Sequence, residues 1–195
     1  MKRVFDFAVS CVLIILVSPF ILLVAIAIKL DTRGPVFFKQ VRVGKDGKPF
    51  FVYKFRTLNH SSPPLHLQVE EIKDIKNFVF PAPPDGEKTR VGQFLRKMSL
   101  NEIPQLFNVV KGEMSLVGPR PEVPEIVRLY VPEYKKRLQV MPGITGLAQI
   151  EGRGDLPLKD VIALDLKYID HHSFFIDLRI LLKTLSVVYS TNGAK

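Results

Sequence analysis

The chain opens with an apolar run. Phe7 to Ile28 holds no charged residue, with Lys2 and Arg3 before it and Lys29, Arg33, Lys39 and Arg42 after it. As a helix rising about 1.5 Å per residue, the run is long enough for a hydrocarbon core of roughly 30 Å. Ser18-Pro19 falls near its middle, where proline removes a backbone hydrogen bond and crowds the preceding turn, so a membrane kink is expected there. Basic residues at both ends draw both to the same side of a membrane. A re-entrant helix over residues 1–30, entering one leaflet and returning, satisfies both ends. A single-pass span is the simpler alternative, since spanning helices tolerate proline. A secretory signal fits poorly: the run is too long, it contains a proline, and no small-x-small cleavage site precedes the charges.

Beyond residue 30 the period changes. Alternating aromatic and β-branched residues on either side of Asp46-Gly47 predict a β-hairpin carrying Lys39, Arg42, Lys54 and Arg56. Residues 59–87, studded with Pro63, Pro64, Pro81, Pro83 and Pro84, read as a surface excursion; Val69, Ile72, Ile75 or Lys76, and Val79 recur at helical spacing within it. Tyr134-Lys135-Lys136-Arg137 forms a basic amphipathic stretch suited to anionic headgroups. Pro142-Gly143 has the sequence of a type II turn. Leu158–Asp170 and Phe174–Tyr189 predict helices, the second with an aliphatic face for core packing or for the interface. Thr191 to Lys195 is expected to be a disordered tail. The fold class that results is α+β: a membrane protein, monotopic if residues 1–30 re-enter and single-pass if they span, with a small hairpin, interfacial amphipathic helices and a cytosolic or interfacial domain over 31–195.

Charge narrows the partners without choosing one. A formal +9 on 195 residues favours phosphorylated substrates, acidic headgroups or nucleic acid. No reading helix or aromatic platform supports nucleic acid. The single cysteine, Cys11, excludes an internal disulfide, and His60, His66, His171 and His172 show no metal spacing. No phosphate-loop or dinucleotide fingerprint occurs.

Ser99 to Pro121 concentrates the chemistry. Glu102 follows an amide, Asn101, and lies upstream of Gly118-Pro119-Arg120-Pro121. Arginine between two prolines is a pre-set fork for phosphate oxygens. A nearby carboxylate is a nucleophile or a magnesium ligand. Glu102 also has a bland reading, because Ser99-x-x-Glu102 matches a capping box. Pro104 argues against it by starting the helix later.

This block resembles the bacterial sugar transferases, the small monotopic phosphoglycosyl transferases that move a phosphosugar from a nucleotide sugar onto polyprenyl phosphate. The resemblance extends to Lys2-Arg3 with Phe5-Asp6, Ser18-Pro19, Gly34 to Gln40, Tyr53 to Arg56, Thr89 to Lys97, and the Pro-Gly-x-Thr-Gly-x-x-Gln pattern of Pro142 to Gln149. It implies magnesium held by Glu102 and Asn101, and phosphate contacts from Arg120, Arg96, Lys54 and Arg56. It also implies a nucleotide and sugar pocket near Gly143, Thr145, Gly146 and Gln149. The expected substrates are a nucleoside diphosphate sugar, with uridine as the base, and polyprenyl phosphate; the expected location is the cytoplasmic side of a bacterial inner membrane. One position departs from the pattern: the resemblance calls for Asp-Glu where this chain has Asn101-Glu102. An amide is a very poor nucleophile and a weaker magnesium ligand. Three readings remain: Glu102 takes the covalent role, transfer is direct with Glu102 as base, or the chain is a non-catalytic membrane scaffold. If Asn101 limits turnover, Asn101→Asp raises activity by orders of magnitude.

Overall fold

Helix α1 spans Lys2–Asp31 in the computed structural model, which describes residues 1–59, 72, 74–81, 83–152 and 155–190. It is the one helix among the described residues long and apolar enough to cross a membrane. Helical structure continues through Pro19. The reason lies one residue upstream. Proline offers no N–H to the Ile15 carbonyl, and the Ser18 hydroxyl donates to that carbonyl instead, at 2.8 Å.

One stripe of α1, including Asp6, Ser10, Val24 and Ile28, is buried; Phe7, Val12, Leu16, Leu22, Leu23 and Ile26 are bare on the other side. Both ends are fastened to the same body. At the start, Lys2 pairs with Asp177 at 2.6 Å, Arg3 donates to the carbonyls of Val109 and Val110, and Asp6 accepts from Ser115 at 2.7 Å. At the end, Arg56 donates to the carbonyls of Thr32 at 2.9 Å and Arg33, and Asp31 accepts from the Val91 amide at 2.9 Å.

Strands β1 (Phe37–Val43) and β2 (Pro49–Phe55) pair antiparallel, with Phe37 opposite Phe55 and Val43 opposite Pro49. The predicted turn is present. Asp46 and Gly47 both adopt positive φ, 57° and 75°, within the 3₁₀ turn Lys45–Gly47 that joins the strands. Helices α2 (Arg90–Lys97) and α3 (Gln105–Lys111) lead to strand β3 (Ser115–Val117). A connection through α4 (Pro124–Arg128) and a 3₁₀ turn at Pro132–Gln139 returns to β4 (Gly143–Thr145), parallel to β3. Helices α5 (Leu147–Gly152), α6 (Leu158–His171) and α7 (Phe174–Ser190) complete the chain.

Three apolar clusters hold these elements. Val52, Val109, Met114, Leu116 and Ile180 pack beneath the first half of α1; Phe55 and Leu95 pack beneath its end with Val24 and Ile28; Ile126, Leu158 and Ile162 form the third. Each fully buried side chain of this size contributes about 2 kcal/mol.

The structure corrects three expectations. Ile72 and Ile75 do not continue a helix: Asp74 accepts from the Lys76 amide at 2.9 Å and turns the chain at Ile75–Asn77, and Ile72, Ile75, Phe78 and Phe80 pack onto the third cluster. The basic stretch presents only Lys135 and Lys136, because Tyr134 and Arg137 are buried. Gly143 is not the left-handed corner of a type II turn; it opens β4, and a Cβ there would lie 2.1 Å from the Gly118 nitrogen. Helix α7 is buried on one side, as expected, with Asp177 and Ile180 inside while Phe175, Leu178, Leu182 and Leu185 stand exposed. His171 and His172 are exposed, as expected. Val69, His60, His66 and the tail from Thr191 lie outside the described residues.

Candidate active site

Glu102 ends a 3₁₀ turn, Leu100–Glu102, entered through Ser99 in a left-handed conformation at φ 53°. That backbone costs a residue with a Cβ roughly 1 kcal/mol or more. The Ser99 side chain makes no capping bond, so the capping-box reading of Glu102 fails. Pro104 takes the N-cap position of α3, leaving Glu102 outside the helix.

The Glu102 carboxylate is instead gripped by two cations. Lys54 Nζ from β2 lies 2.8 Å from Oε1, and Arg120 reaches both oxygens, at 2.8 and 3.2 Å. Burial works to raise the Glu102 pKa, but Arg120 and Lys54 hold the carboxyl well below the usual carboxylate range. It is ionised at any working pH. Burial pushes the Lys54 ammonium down to about 8, with Glu102 pulling the other way and Arg120 and Arg42 adding to the fall. Arg42 and Arg96 also lie within electrostatic reach of Glu102 and Arg120, so two further cations stand near the pair that grips the carboxylate. Such a cluster is built to exchange an internal anion for an external, more highly charged one.

Local packing sets each of these side chains. Lys54 is fixed by the hairpin register, opposite Phe38. Arg96 donates to the Thr57 hydroxyl at 2.8 Å, and α2 comes that close because residue 92 is glycine: a Cβ there would lie 2.1 Å from the Thr57 carbonyl oxygen. Arg120 rides on a loop wedged against β4.

The structure thus gathers Asn101, Glu102, Lys54, Arg96 and Arg120, the first of them buried on the same turn as Glu102. Arg56 does not join them. It is 5 % exposed, and its guanidinium is taken up by the carbonyls that end α1, where a cation also meets the negative end of the helix dipole. Gly143 and Gly146 serve close backbone packing against Gly118, and Thr145 shares a hydrogen bond with Thr184 of α7 at 2.7 Å. Gln149 keeps a buried side-chain amide without a hydrogen-bond partner among the described residues. Arg42, read from the sequence only as one of several hairpin cations, is a closer neighbour of the site than Arg56. Its position two residues from Gln40, which accepts from it at 2.8 Å, was the available signal.

Among the described residues no three metal-ligating side chains converge. The donor set suits magnesium only in its usual role with phosphates, where one or two carboxylates suffice and substrate oxygens and water complete the shell. Glu102 is the carboxylate present on this turn for such a role, with the Asn101 amide beside it in sequence.

A family model described as bacterial sugar transferase matches residues 1–191. The chain is 40 % identical over 193 residues to the uncharacterized sugar transferase EpsL of Bacillus subtilis, covering 99 % of this chain and 89 % of that protein. It is 40 % identical over 202 residues to a UDP-glucose:undecaprenyl-phosphate glucose-1-phosphate transferase of Caulobacter vibrioides, covering 99 % and 71 %. With an undecaprenyl-phosphate galactose phosphotransferase of Salmonella typhimurium it shares 37 % identity over 205 residues, spanning 100 % of this chain but 41 % of that longer protein. Whole-chain agreement of this kind, together with a site assembled from the motifs that carry the resemblance, establishes that the chain belongs to the bacterial sugar transferase family.

Proposed function

We propose that the protein transfers a sugar 1-phosphate from a UDP-sugar to polyprenyl phosphate, giving polyprenyl diphosphate sugar and UMP, as a first membrane step of glycoconjugate assembly. The carrying observation is the ionised Glu102 held between Lys54 and Arg120. The names of the relatives support the substrate pair and leave the sugar open, glucose in one and galactose in another.

On this reading the donor diphosphate draws Lys54, Arg120 and Arg96 onto its oxygens and releases Glu102. The freed carboxylate attacks the phosphorus next to the sugar, forming an acyl phosphate bond and breaking the bridging P–O bond, so that UMP leaves. An oxygen of polyprenyl phosphate then attacks the same phosphorus and returns Glu102 as carboxylate. Glu102 and the Asn101 amide oxygen would be the side chains to hold magnesium together with substrate oxygens, and the ion would supply neutralisation of the diphosphate charge.

The bare face of α1 and the outer face of α7 suit an apolar medium, and a long fastened helix favours a monotopic seat in one leaflet over a perpendicular span. On this reading that seat holds the site at headgroup height, and the basic residues on both sides of the apolar run support the cytoplasmic side of the inner membrane. Asn101 favours a second reading, a membrane scaffold that keeps the fold and binds lipid phosphate without turnover. Both are tested by UMP release from UDP-glucose and UDP-galactose with undecaprenyl phosphate and magnesium. Release that requires the lipid supports the enzyme; none, even from Asn101→Asp, leaves the scaffold.

A further inference from the structure

The loop that carries Arg120 cannot hold itself. Pro119 and Pro121 have no N–H, so the loop is fixed through its carbonyls. Four in succession are pinned, from three separate parts of the chain. The Pro119 carbonyl accepts from the Gly143 amide at 2.9 Å, the Arg120 carbonyl from Arg137 at 2.9 Å, the Pro121 carbonyl from Arg42 at 2.9 Å, and the Glu122 carbonyl from the Val43 amide at 2.9 Å. Two of these pins are side chains, and both belong to a buried ionic network. Arg137 is 4 % exposed and pairs with Asp165 of α6 at 2.7 Å, with Glu122 at 3.6 Å, and with the Tyr130 hydroxyl. Arg42 shares Glu122 at 3.8 Å. Glu122, Tyr130 and Arg137 line a shallow cleft together with Pro119, Arg120 and Pro121 of the loop.

We propose that Arg137, oriented by Asp165, is a positioning residue that sets the Arg120 guanidinium at the height where it meets a donor phosphate. The proposal rests on the reading of Arg120 as a donor ligand. A bidentate fork is sensitive to the placement of its own Cα, because both N–H vectors rotate with it. Arg137 holds that residue's carbonyl directly. Replacing a buried ion pair by apolar side chains often costs nothing or stabilises, so packing alone does not account for this network.

The groups facing Asp165 are Arg137 from the 3₁₀ turn, Glu122 from the loop and Tyr130 from the segment after α4, with Arg42 of β1 beyond Glu122. Burial pushes Asp165 up to about 6, Arg137 pulling against it and Glu122 adding to it. A carboxyl raised in the folded state stabilises the fold in acid, and that stabilisation is lost as pH rises through about 6. The charged form present at neutral pH is therefore kept against a stability cost. In acid Asp165 protonates and Arg137 loses its anchor, so catalysis weakens while the fold does not.

The test is a double-mutant cycle on kcat/KM for UMP release from UDP-glucose with undecaprenyl phosphate, read over roughly pH 5 to 7. The wild type is expected to show an acid limb near the Asp165 value. Asp165→Asn is expected to lose the limb and to sit about tenfold or more below the wild-type plateau at every pH, as a small misplacement of a phosphate ligand does. In an Arg120→Ala background the same substitution is expected to have no further effect. An acid limb that survives Asp165→Asn, or losses that multiply in the double variant, overturns the positioning role. An Arg120→Ala variant with wild-type kcat/KM would instead overturn the donor-ligand reading beneath it. Should Asp165→Asn fail to fold by circular dichroism, Tyr130→Phe removes one acceptor of Arg137 and completes the same cycle: no further loss in the Arg120→Ala background supports the positioning role, and multiplying losses overturn it.

Discussion

Glu102→Gln separates the two things the carboxylate does, which are to react and to occupy the cations. In the resting protein Glu102 makes three contacts, at 2.8, 2.8 and 3.2 Å, with Lys54 and Arg120. Hydrogen bonds to charged groups contribute about 1.5–3 kcal/mol each. A donor diphosphate has to break or share those contacts before it gains its own. Gln holds Lys54 and Arg120 without charge, so recovering the equivalent of one contact tightens UDP-glucose binding by about 1.5 kcal/mol, roughly tenfold in Kd. Turnover, which needs the carboxylate, falls by about a thousandfold or more. Isothermal titration reads the first effect and UMP release the second. The pH matters to the first. Glu102 is what holds the Lys54 ammonium up against burial, so without it the amine titrates below its present value of about 8 and the tightening shrinks as pH rises toward that value. Tighter binding with lost turnover agrees with the reasoning. Weaker binding in acid, or turnover within tenfold of wild type, refutes it.

The remaining expectations concern the neighbours. If catalysis uses the charged form of Lys54, kcat/KM falls as pH rises through about 8, and Lys54→Arg abolishes that alkaline limb because guanidinium stays charged. With Glu102 as nucleophile, Asn101→Asp changes UMP release by less than about tenfold; a gain of orders of magnitude places the limiting step at residue 101. Arg56→Met leaves buried carbonyls at the end of α1 without a donor and is expected to destabilise by about 2–4 kcal/mol, read as a lower midpoint of thermal unfolding in detergent. Ser18→Ala exposes the Ile15 carbonyl and costs about 1 kcal/mol, while Ser18→Ala with Pro19→Ala restores the backbone donor and recovers it; a double variant no more stable than the single one excludes this account.

Local signals carried much of the fold. The apolar run, the Asp46-Gly47 hairpin and the helices at Leu158 and Phe174 depend on patterns of two to four residues, and those patterns survive into the structure. The core of the site was legible for a related reason, since Asn101, Glu102 and Arg120 fall within one short block. Lys54 and Arg56 illustrate where reading stops. Two residues apart, both basic and both within the Tyr-Lys-Phe-Arg motif, they are alike in sequence. At the end of β2 the strand gives way, and the two charges part: Lys54 meets Glu102, while Arg56 closes a helix that ended 25 positions earlier at Asp31.

The loop around Arg120 shows the same limit from the other side. Its two prolines announce a rigid arginine, yet proline restricts φ without anchoring anything, and by removing N–H groups it makes the loop depend on donors elsewhere. Those donors sit on β1, β4 and the Pro132–Gln139 turn, and nothing local to Gly118-Pro119-Arg120-Pro121 identifies them. Arg137 is the clearest case. Between Lys136 and Leu138 it reads as one more basic residue on a surface stretch, and only the fold reveals that its charge faces inward to Asp165 while its neighbours Lys135 and Lys136 face out. A rigid motif in this site is thus rigid by dependence. The residues that give Arg120 its position lie where a motif search centred on Arg120 does not look.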